Sequence, residues 1–324
     1  MKKLKSITVF ILVFALVLMS FGASASDASS GSAIAKEDIW CVNQGAEIFL
    51  GETDANICGT MYYPAGFDGS KTYPIVIASH GFLASSAFFS MLWGEKLANA
   101  GYLVYAIDFC GGNLADGGPF GMITRSDGDW LEMSVLTEAD DLNAVIDFIK
   151  TLDYVDQDKI FLFGQSQGGL VSALVAAERE EKGLNDLAGI VLLYPYFNIA
   201  DDVREKYPTE ADLPAESDAW LQDTQTGARY FRDAYTLNVY EKIAGFSGNV
   251  LILQGVADTT VPYNAAVKAL TESYANQNAA LVLIAGAQSE HAFDLPFTGF
   301  VGTDTAVSAM IDALSNWQVW NAVE

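Results

Sequence analysis

Histidine is almost missing from this chain: 324 residues contain two, His80 and His291. Zinc sites gather several His and Cys at close spacing. With two histidines and three cysteines in all, no zinc cluster assembles around Cys110 or the others. Three cysteines also exclude a disulfide-rich scaffold and leave at least one thiol unpaired. Cys41 and Cys58 fall in one N-terminal β-region and are a candidate pair, although a simple hairpin turning around Thr53 sets Cys58 opposite Phe49 rather than Cys41. Cys110 reads as a free thiol after a core strand. Basic residues are scarce as well, 17 Lys and Arg against 41 Asp and Glu, for a net charge of −24. So acidic a surface argues against nucleic acid, anionic lipid or other polyanions as partners. Internal repeats and coiled-coil heptads are absent.

One long apolar run is present, Ile7 to Phe21, short of the roughly 20 residues of a membrane span. Lys2, Lys3 and Lys5 precede it and Ala23-Ser24-Ala25 follows, which reads as a secretory signal peptide over residues 1–25. No cysteine follows to accept a lipid. Cleavage removes three lysines and no acid, so the mature charge becomes −27. A secreted or extracytoplasmic protein without a stable membrane span is expected. Residues 26–36, rich in Ser, Ala and Gly, read as a flexible leader.

The remainder, 37–324, is long enough to bury one large core. From residue 73 onward short apolar runs alternate with helical patterns, the mark of a mostly parallel sheet of about eight strands with helices on both faces, an α/β architecture. The expected strands are Tyr73-Ser79, Tyr102-Ile107, Ile160-Gly164, Gly189-Tyr194, Asn249-Gln254 and Ala280-Ala285. Ile39-Leu50 and Ile57-Tyr63 form an antiparallel pair at one edge. A helix around Ala139-Lys150 carries Leu142, Val145, Ile146 and Ile149 on one face, and the last helix repeats this with Val307, Met310, Ile311 and Leu314. The connection from Phe197 to Phe246 is too long for a plain crossover, is acidic and carries several aromatic residues. It reads as a cap insertion at about 197–246.

Gly164-Gln165-Ser166-Gln167-Gly168-Gly169 is a G-x-S-x-G sequence between a strand-like run, Lys159-Phe163, and a helix-forming run, Leu170-Ala177. In that context it reads as a nucleophile elbow, a tight strand-to-helix turn that exposes a serine hydroxyl. Serine is a weak nucleophile near neutral pH and needs a base, normally histidine held by a carboxylate. The chain order Ser, acid, His then selects His291 as base. Asp258, at the end of the strand before the histidine loop, is the expected acid, with Asp294 as competitor. His80-Gly81-Phe82 suits an oxyanion hole, with backbone N–H groups from Phe82 and from Gln167. His80 is then structural, its ring tying the loop down.

With these residues placed, the chain resembles the cinnamoyl and feruloyl esterases of the α/β-hydrolase superfamily. The matching features are His80-Gly81-Phe82, Asp108-Phe109 with a Gly-rich loop, Ser166-Gln167-Gly168-Gly169, Gly255 to Asp258 followed by Val261-Pro262-Tyr263, and His291. The resemblance runs from about residue 45 to the end and includes the insertion. It departs at Gln165, where most relatives have histidine, and at Gly111-Gly112-Asn113, which lacks the usual Gly-x-Gly-x-Ser-x-Gly ending. It implies the α/β-hydrolase fold and a serine carboxylesterase acting through an acyl-enzyme, with no metal or organic cofactor. The implied substrates are small-molecule or polysaccharide-linked esters, among them hydroxycinnamoyl esters. Trp220 and Tyr230 are candidates to stack on an aromatic acyl group. Two alternatives remain: a peptidase of prolyl-oligopeptidase or aminopeptidase type, and a non-catalytic binding protein on a hydrolase scaffold.

Overall fold

Strands buried on both faces read as unbroken apolar runs rather than as alternating patterns, and five such runs, each flanked by helical sequence, form the centre of the molecule. A computed structural model describes residues 34–46, 54–89, 93–112, 124–221, 224–275, 277–285, 289–294 and 301–320. The expected signal peptide, the leader up to residue 33, Phe49 and Thr53 of the expected hairpin turn, and Asn113 lie outside the described residues.

The strands are β1 (Lys36–Gln44), β2 (Asp54–Tyr62), β3 (Tyr73–Ser79), β4 (Leu103–Ile107), β5 (Val155–Gln165), β6 (Gly189–Leu193), β7 (Trp220–Leu221), β8 (Thr224–Gln225), β9 (Asn249–Gly255) and β10 (Ala279–Ile284). Eight of them make one sheet in the order β1-β2-β4-β3-β5-β6-β9-β10, and β7 and β8 form a separate hairpin. From β4 to β10 all neighbours are parallel, while β1 and β2 are antiparallel additions at one edge. β1 begins at Lys36, a residue that the composition assigns to the leader.

The helices are α1 (Ser86–Phe89), α2 (Glu95–Asn99), α3 (Val135–Ile149), α4 (Gln167–Glu181), α5 (Ile199–Lys206), α6 (Ala228–Thr236), α7 (Val239–Ile243), α8 (Tyr263–Lys268) and α9 (Val301–Trp320). Side chains alternate along each strand, so Ile75, Ile77, Ile160, Leu162, Ile190 and Ile252 point to the face covered by α3 and α4. Val76, Phe161, Phe163, Val191 and Leu253 point to the face covered by α2 and α9. α3 buries Leu142, Val145, Ile146 and Ile149 completely, each worth about 1.5–3 kcal/mol of apolar burial. Its start is fixed by Ser134, whose hydroxyl accepts from the N–H groups of Leu136 and Thr137 while Thr137 Oγ1 accepts from the Ser134 N–H; a cap of this kind stabilises by about 1 kcal/mol. In α9, Met310 and Leu314 are fully buried and Val307 nearly so, whereas Ile311 is only partly covered.

The Cys41–Cys58 pairing is not formed. Cys41 lies opposite Ile57 and Cys58 opposite Trp40, so the two thiols are one residue out of register and project to opposite faces of the sheet. All three cysteines are free and buried, and burial pushes the Cys58 thiol up to about 11.

The connection between β6 and β9 contains α5, the β7–β8 hairpin, α6 and α7. It is fastened to the segment before α3. The Trp130 indole N–H donates to the Gln225 carbonyl at 2.6 Å, and the Ser134 hydroxyl bonds the Asp233 carboxylate. Gly227 lies flush on Leu131, where any Cβ would sit 1.5 Å from the Leu131 carbonyl oxygen. No described helix is long and apolar enough to cross a membrane.

Candidate active site

Parallel α/β sheets present their loops at the carboxyl ends of the strands, and ligands gather there. Here that edge brings together the segments after β3 (His80-Phe82), β5 (Ser166-Gln167), β6 (Tyr194), β9 (Asp258) and β10 (His291).

Ser166 occupies the turn between β5 and α4 with φ 52° and ψ −117°, a conformation that L-residues rarely adopt. Strain of this order costs about 1–3 kcal/mol and must be held by its surroundings. The backbone holds it: Ser166 N–H donates to the Leu193 carbonyl at 2.9 Å, and its own carbonyl accepts from Tyr196 and Gly169 at 3.0 Å. The glycines of the motif are required by close approach. A Cβ on Gly164 would meet the Gly168 carbonyl oxygen at 2.2 Å, and one on Gly168 would meet the His80 carbonyl oxygen at 2.3 Å. Between Ile160 and Ala177 every residue is buried except Ser166.

His291 Nδ1 lies 2.8 Å from Asp258 Oδ2. A carboxylate only accepts, so Nδ1 carries a proton, and in the neutral imidazole the lone pair then lies on Nε2, the form a general base requires. The Asp258 side chain is fully buried. Its Oδ2 also accepts from Gln254 Nε2 at 3.1 Å, and its Oδ1 accepts from the N–H groups of Thr260 and Val261 at 2.9 and 2.8 Å. The histidine loop is clipped to the acid turn where Ala257 N–H donates to the Ser289 carbonyl at 3.0 Å. Gly255 leaves room for that strand of chain, since a Cβ there would lie 2.0 Å from the Ser289 oxygen. Beneath the imidazole, the Tyr194 ring packs 4.6 Å from the His291 ring and 5.1 Å from that of Phe293. Among the described residues no hydrogen bond joins His291 to Ser166. The structure therefore brings Asp258 and His291, the expected acid and base, together and shows no such contact between His291 and Ser166.

Neither Phe82 nor Gln167 donates its backbone N–H to an acceptor among the described residues. Gly81, between His80 and Phe82, faces Ser166, with its virtual Cβ 3.1 Å from the Ser166 Cβ. Two unengaged N–H groups on the loops flanking a strained serine are what an oxyanion site needs. The loop is secured at both ends. His80 Nδ1 bonds the Gly81 carbonyl at 2.9 Å and Nε2 accepts from Phe109 N–H at 3.3 Å, and burial pushes this imidazole below its ordinary value. At the other end Ser86 N–H donates to Asp108 at 2.7 Å, and Arg125 Nε reaches the same carboxylate at 2.8 Å.

The two aromatic candidates differ. Trp220 is 48% exposed on the β7–β8 hairpin. Tyr230 is 1% exposed, with its ring against Phe82 and Phe231 and its hydroxyl donated to Gln167 Oε1 at 2.6 Å. Its faces are packed rather than open for stacking, contrary to the expectation from sequence. Residues that sequence reasoning passed over include Gln254, Tyr194, Arg125 and Glu138. Only Gln254 had a local signal, a polar side chain ending an otherwise apolar strand. No three His, Cys, Asp or Glu among the described residues gather to hold a metal. A cavity of about 230 Å³ lined by Arg179, Asp186 and Phe246 lies at the far end of α4, roughly 20 Å from Ser166 at 1.5 Å per helical residue.

Residues 70–223 match the family model described as serine aminopeptidase, S33. Over 120 residues the chain is 31% identical to prolyl endopeptidase FAP of Mus musculus, which covers 36% of this chain and 15% of that protein. The chain therefore spans a small part of that relative's length. Among solved structures, Est1E from Butyrivibrio proteoclasticus with ferulic acid bound superposes with a TM-score of 0.65 at 24% identity, covering 81% of this chain and 96% of Est1E. An esterase of Pyrococcus furiosus superposes with a TM-score of 0.60 at 17% identity, covering 88% and 92% of the two chains. A putative dipeptidyl aminopeptidase IV from Bacteroides ovatus superposes at 0.58 and 16% identity, covering 87% of this chain and 36% of that one.

Proposed function

We propose that this chain, an α/β-hydrolase, is a serine carboxylesterase whose nucleophile is Ser166, with His291 as general base and Asp258 as its orienting acid. The observation that carries the reading is the Asp258–His291 pair at 2.8 Å, which leaves Nε2 as the proton acceptor at the same sheet edge as the strained Ser166. In the proposed reaction Ser166 Oγ attacks the ester carbonyl carbon as its proton passes to His291 Nε2. The oxyanion is held by the N–H groups of Phe82 and Gln167. The imidazolium returns the proton to the departing alcohol, leaving an acyl-enzyme. Water, deprotonated by the same imidazole, then releases the acid and restores the serine. Catalytic hydrogen bonds of this kind tighten when substrate binds, and closure of Ser166 on His291 belongs to that step.

The finer assignment is an aromatic, hydroxycinnamoyl-type acyl group on a small or polysaccharide-linked alcohol. The sequence resemblance and the rings of Phe82 and Trp130 beside the oxyanion loop, 5.4 Å apart, support it. The insertion at about 197–246 acts as the cap over the acyl side. Residues 1–25 direct export.

Fluorophosphonate labelling tests the central claim: wild type is modified, Ser166→Ala is not, and an unlabelled wild type rejects the reading. Retention of an ester ligand without labelling favours a binding protein instead. The match to serine aminopeptidases supports a second reading, cleavage of an amide next to a free amine. Turnover of a p-nitrophenyl ester against an aminoacyl p-nitroanilide separates the two. A panel of ferulate, coumarate, acetate and longer acyl esters ranks the acyl groups.

A further inference from the structure

Beside Gln167 lies a carboxyl group that the reaction scheme does not use. Glu138, in the first turn of α3, is 3% exposed. Its Oε2 accepts from Gln167 Nε2 at 2.9 Å, across 29 positions of sequence. The other end of the same amide, Gln167 Oε1, accepts from the hydroxyl of Tyr230, which comes from α6 in the insertion, 63 positions away. Met133 Sδ closes the pocket at 3.9 Å from Gln167 Nε2. The Gln167 side chain is thus gripped at both polar ends while its backbone N–H stays unengaged. Tyr230 also bears on the second oxyanion loop, with its ring centroid 5.8 Å from that of Phe82.

Packing alone does not account for this arrangement. A carboxyl so buried is costly unless hydrogen-bonded, and an apolar residue would fill the space without that cost. Desolvation pushes Glu138 up to about 8, a measure of how unfavourable its charge is there. What the chain of bonds does is fix an orientation. The Ser166–Gln167 peptide plane follows a residue held at φ 52°. Its N–H points usefully only if Gln167 cannot roll about the α4 axis. A side chain anchored to α3 on one side and to the insertion on the other prevents that roll.

We propose that Glu138 and Tyr230 are positioning residues for the oxyanion site, acting through the Gln167 amide and, for Tyr230, also through the Phe82 ring. The insertion thereby bears on the reaction and not only on substrate shape. This assignment rests on the serine-hydrolase reading above.

The test uses the full-length chain and four variants: Tyr230→Phe, Glu138→Leu, Glu138→Gln and the double variant Tyr230→Phe/Glu138→Leu. Hydrolysis of p-nitrophenyl acetate and inhibition by 1,1,1-trifluoro-4-phenylbutan-2-one, whose hemiketal oxyanion occupies the site, are read together. Loss of one oxyanion donor costs about 100–1,000-fold in kcat, and loss of its alignment costs less, about tenfold. Tyr230→Phe and Glu138→Leu are each expected to lower kcat about tenfold with KM within about twofold, and to raise the ketone Ki by the same factor as kcat falls. Glu138→Gln, which still accepts from Gln167, recovers kcat to within about threefold. The double variant loses less than the product of the single losses, because both act through one amide.

Tyr230→Phe changes a single oxygen and guards against a result that reflects unfolding of Glu138→Leu. A labelled wild type together with a folded Tyr230→Phe that keeps kcat and ketone affinity overturns the positioning assignment alone, as does a loss carried entirely by KM. A wild type that fluorophosphonate does not label overturns the serine-hydrolase reading and this assignment with it.

Discussion

His291 Nδ1 sits 2.8 Å from an Asp258 oxygen, and Asp258 takes three further bonds from Gln254, Thr260 and Val261. The imidazole is therefore presented in one tautomer by a carboxylate that has no freedom to turn. An amide at 258 cannot reproduce this, because its NH₂ end would face either the Thr260 and Val261 N–H groups or the Nδ1 proton. Asp258→Asn is expected to lower kcat by about 10³–10⁴ through the wrong tautomer, with destabilisation of about 1–3 kcal/mol from the lost bonds. Ester turnover and thermal melting measure the two effects separately, and kcat within tenfold of wild type contradicts the assignment.

The elbow depends on space that only glycine leaves. At Gly168 the obstacle to a Cβ is backbone, the carbonyl oxygens of His80 and Ser79 at 2.3 and 2.6 Å, and backbone does not move aside as a side-chain tip would. Gly168→Ala is expected to cost about 3 kcal/mol or more and to abolish fluorophosphonate labelling even where the protein still folds. Gly66, whose virtual Cβ meets nothing within 4 Å, is the control. Its positive φ of 72° limits the cost of Gly66→Ala to about 1–2 kcal/mol, with labelling intact.

Glu138 gives stability a defined pH dependence. Its folded-state value of about 8, raised chiefly by desolvation, lies above the ordinary 4.5. Below 4.5 both folded and unfolded chains hold the proton. Between 4.5 and 8 the unfolded chain loses it first, so this group's contribution falls as pH rises, and above 8 the loss is complete. Asp141, on the same helix, is raised by burial as well and works in the same direction. Melting temperatures of wild type and Glu138→Gln, compared from pH 5 to 9, should diverge in favour of the variant up to about pH 8 and run parallel beyond it. A constant difference across that range excludes the effect.

At the far end of α4 an ion cluster behaves in the opposite sense. Burial alone would raise Asp186, but hydrogen bonds from Arg179 and Lys150, at 2.6 Å each, hold it at about 2. Its contribution is therefore present above the ordinary carboxylate value of 3.8 and is lost as pH falls through about 2. Because the Arg179 side chain is only 3% exposed, Asp186→Asn leaves a buried cation with one fewer partner. A loss of about 2–3 kcal/mol at pH 7 is expected, shrinking as urea unfolding is repeated toward pH 2. Esterase turnover should not change, since Ser166 lies at the opposite end of the helix.

Much of the architecture was legible beforehand because it is written in local pattern. Tyr73–Ser79 is a strand in the structure as in the sequence, and Leu142, Val145, Ile146 and Ile149 form one buried stripe. The elbow was legible for the same reason, since G-x-S-x-G between a strand run and a helix run is turn chemistry over six residues. The disulfide question was not. It turned on a one-residue register between β1 and β2, which sends Cys41 and Cys58 to opposite faces. Tyr230 looked like an open aromatic on an insertion, and only its neighbours Phe82, Phe231 and Gln167 show it enclosed.

The sequence by itself determined the alternating elements and the tight serine turn and narrowed the candidates for a base to two, because periodicity and turn chemistry act over a few residues and because the chain holds only two histidines. The tertiary structure decided which carboxylate meets His291, which ring nitrogen holds the proton, and that Glu138 and Tyr230 grip Gln167. Those contacts join residues 29 to 63 positions apart, and sheet order and helix packing, rather than any local pattern, bring them within hydrogen-bond reach.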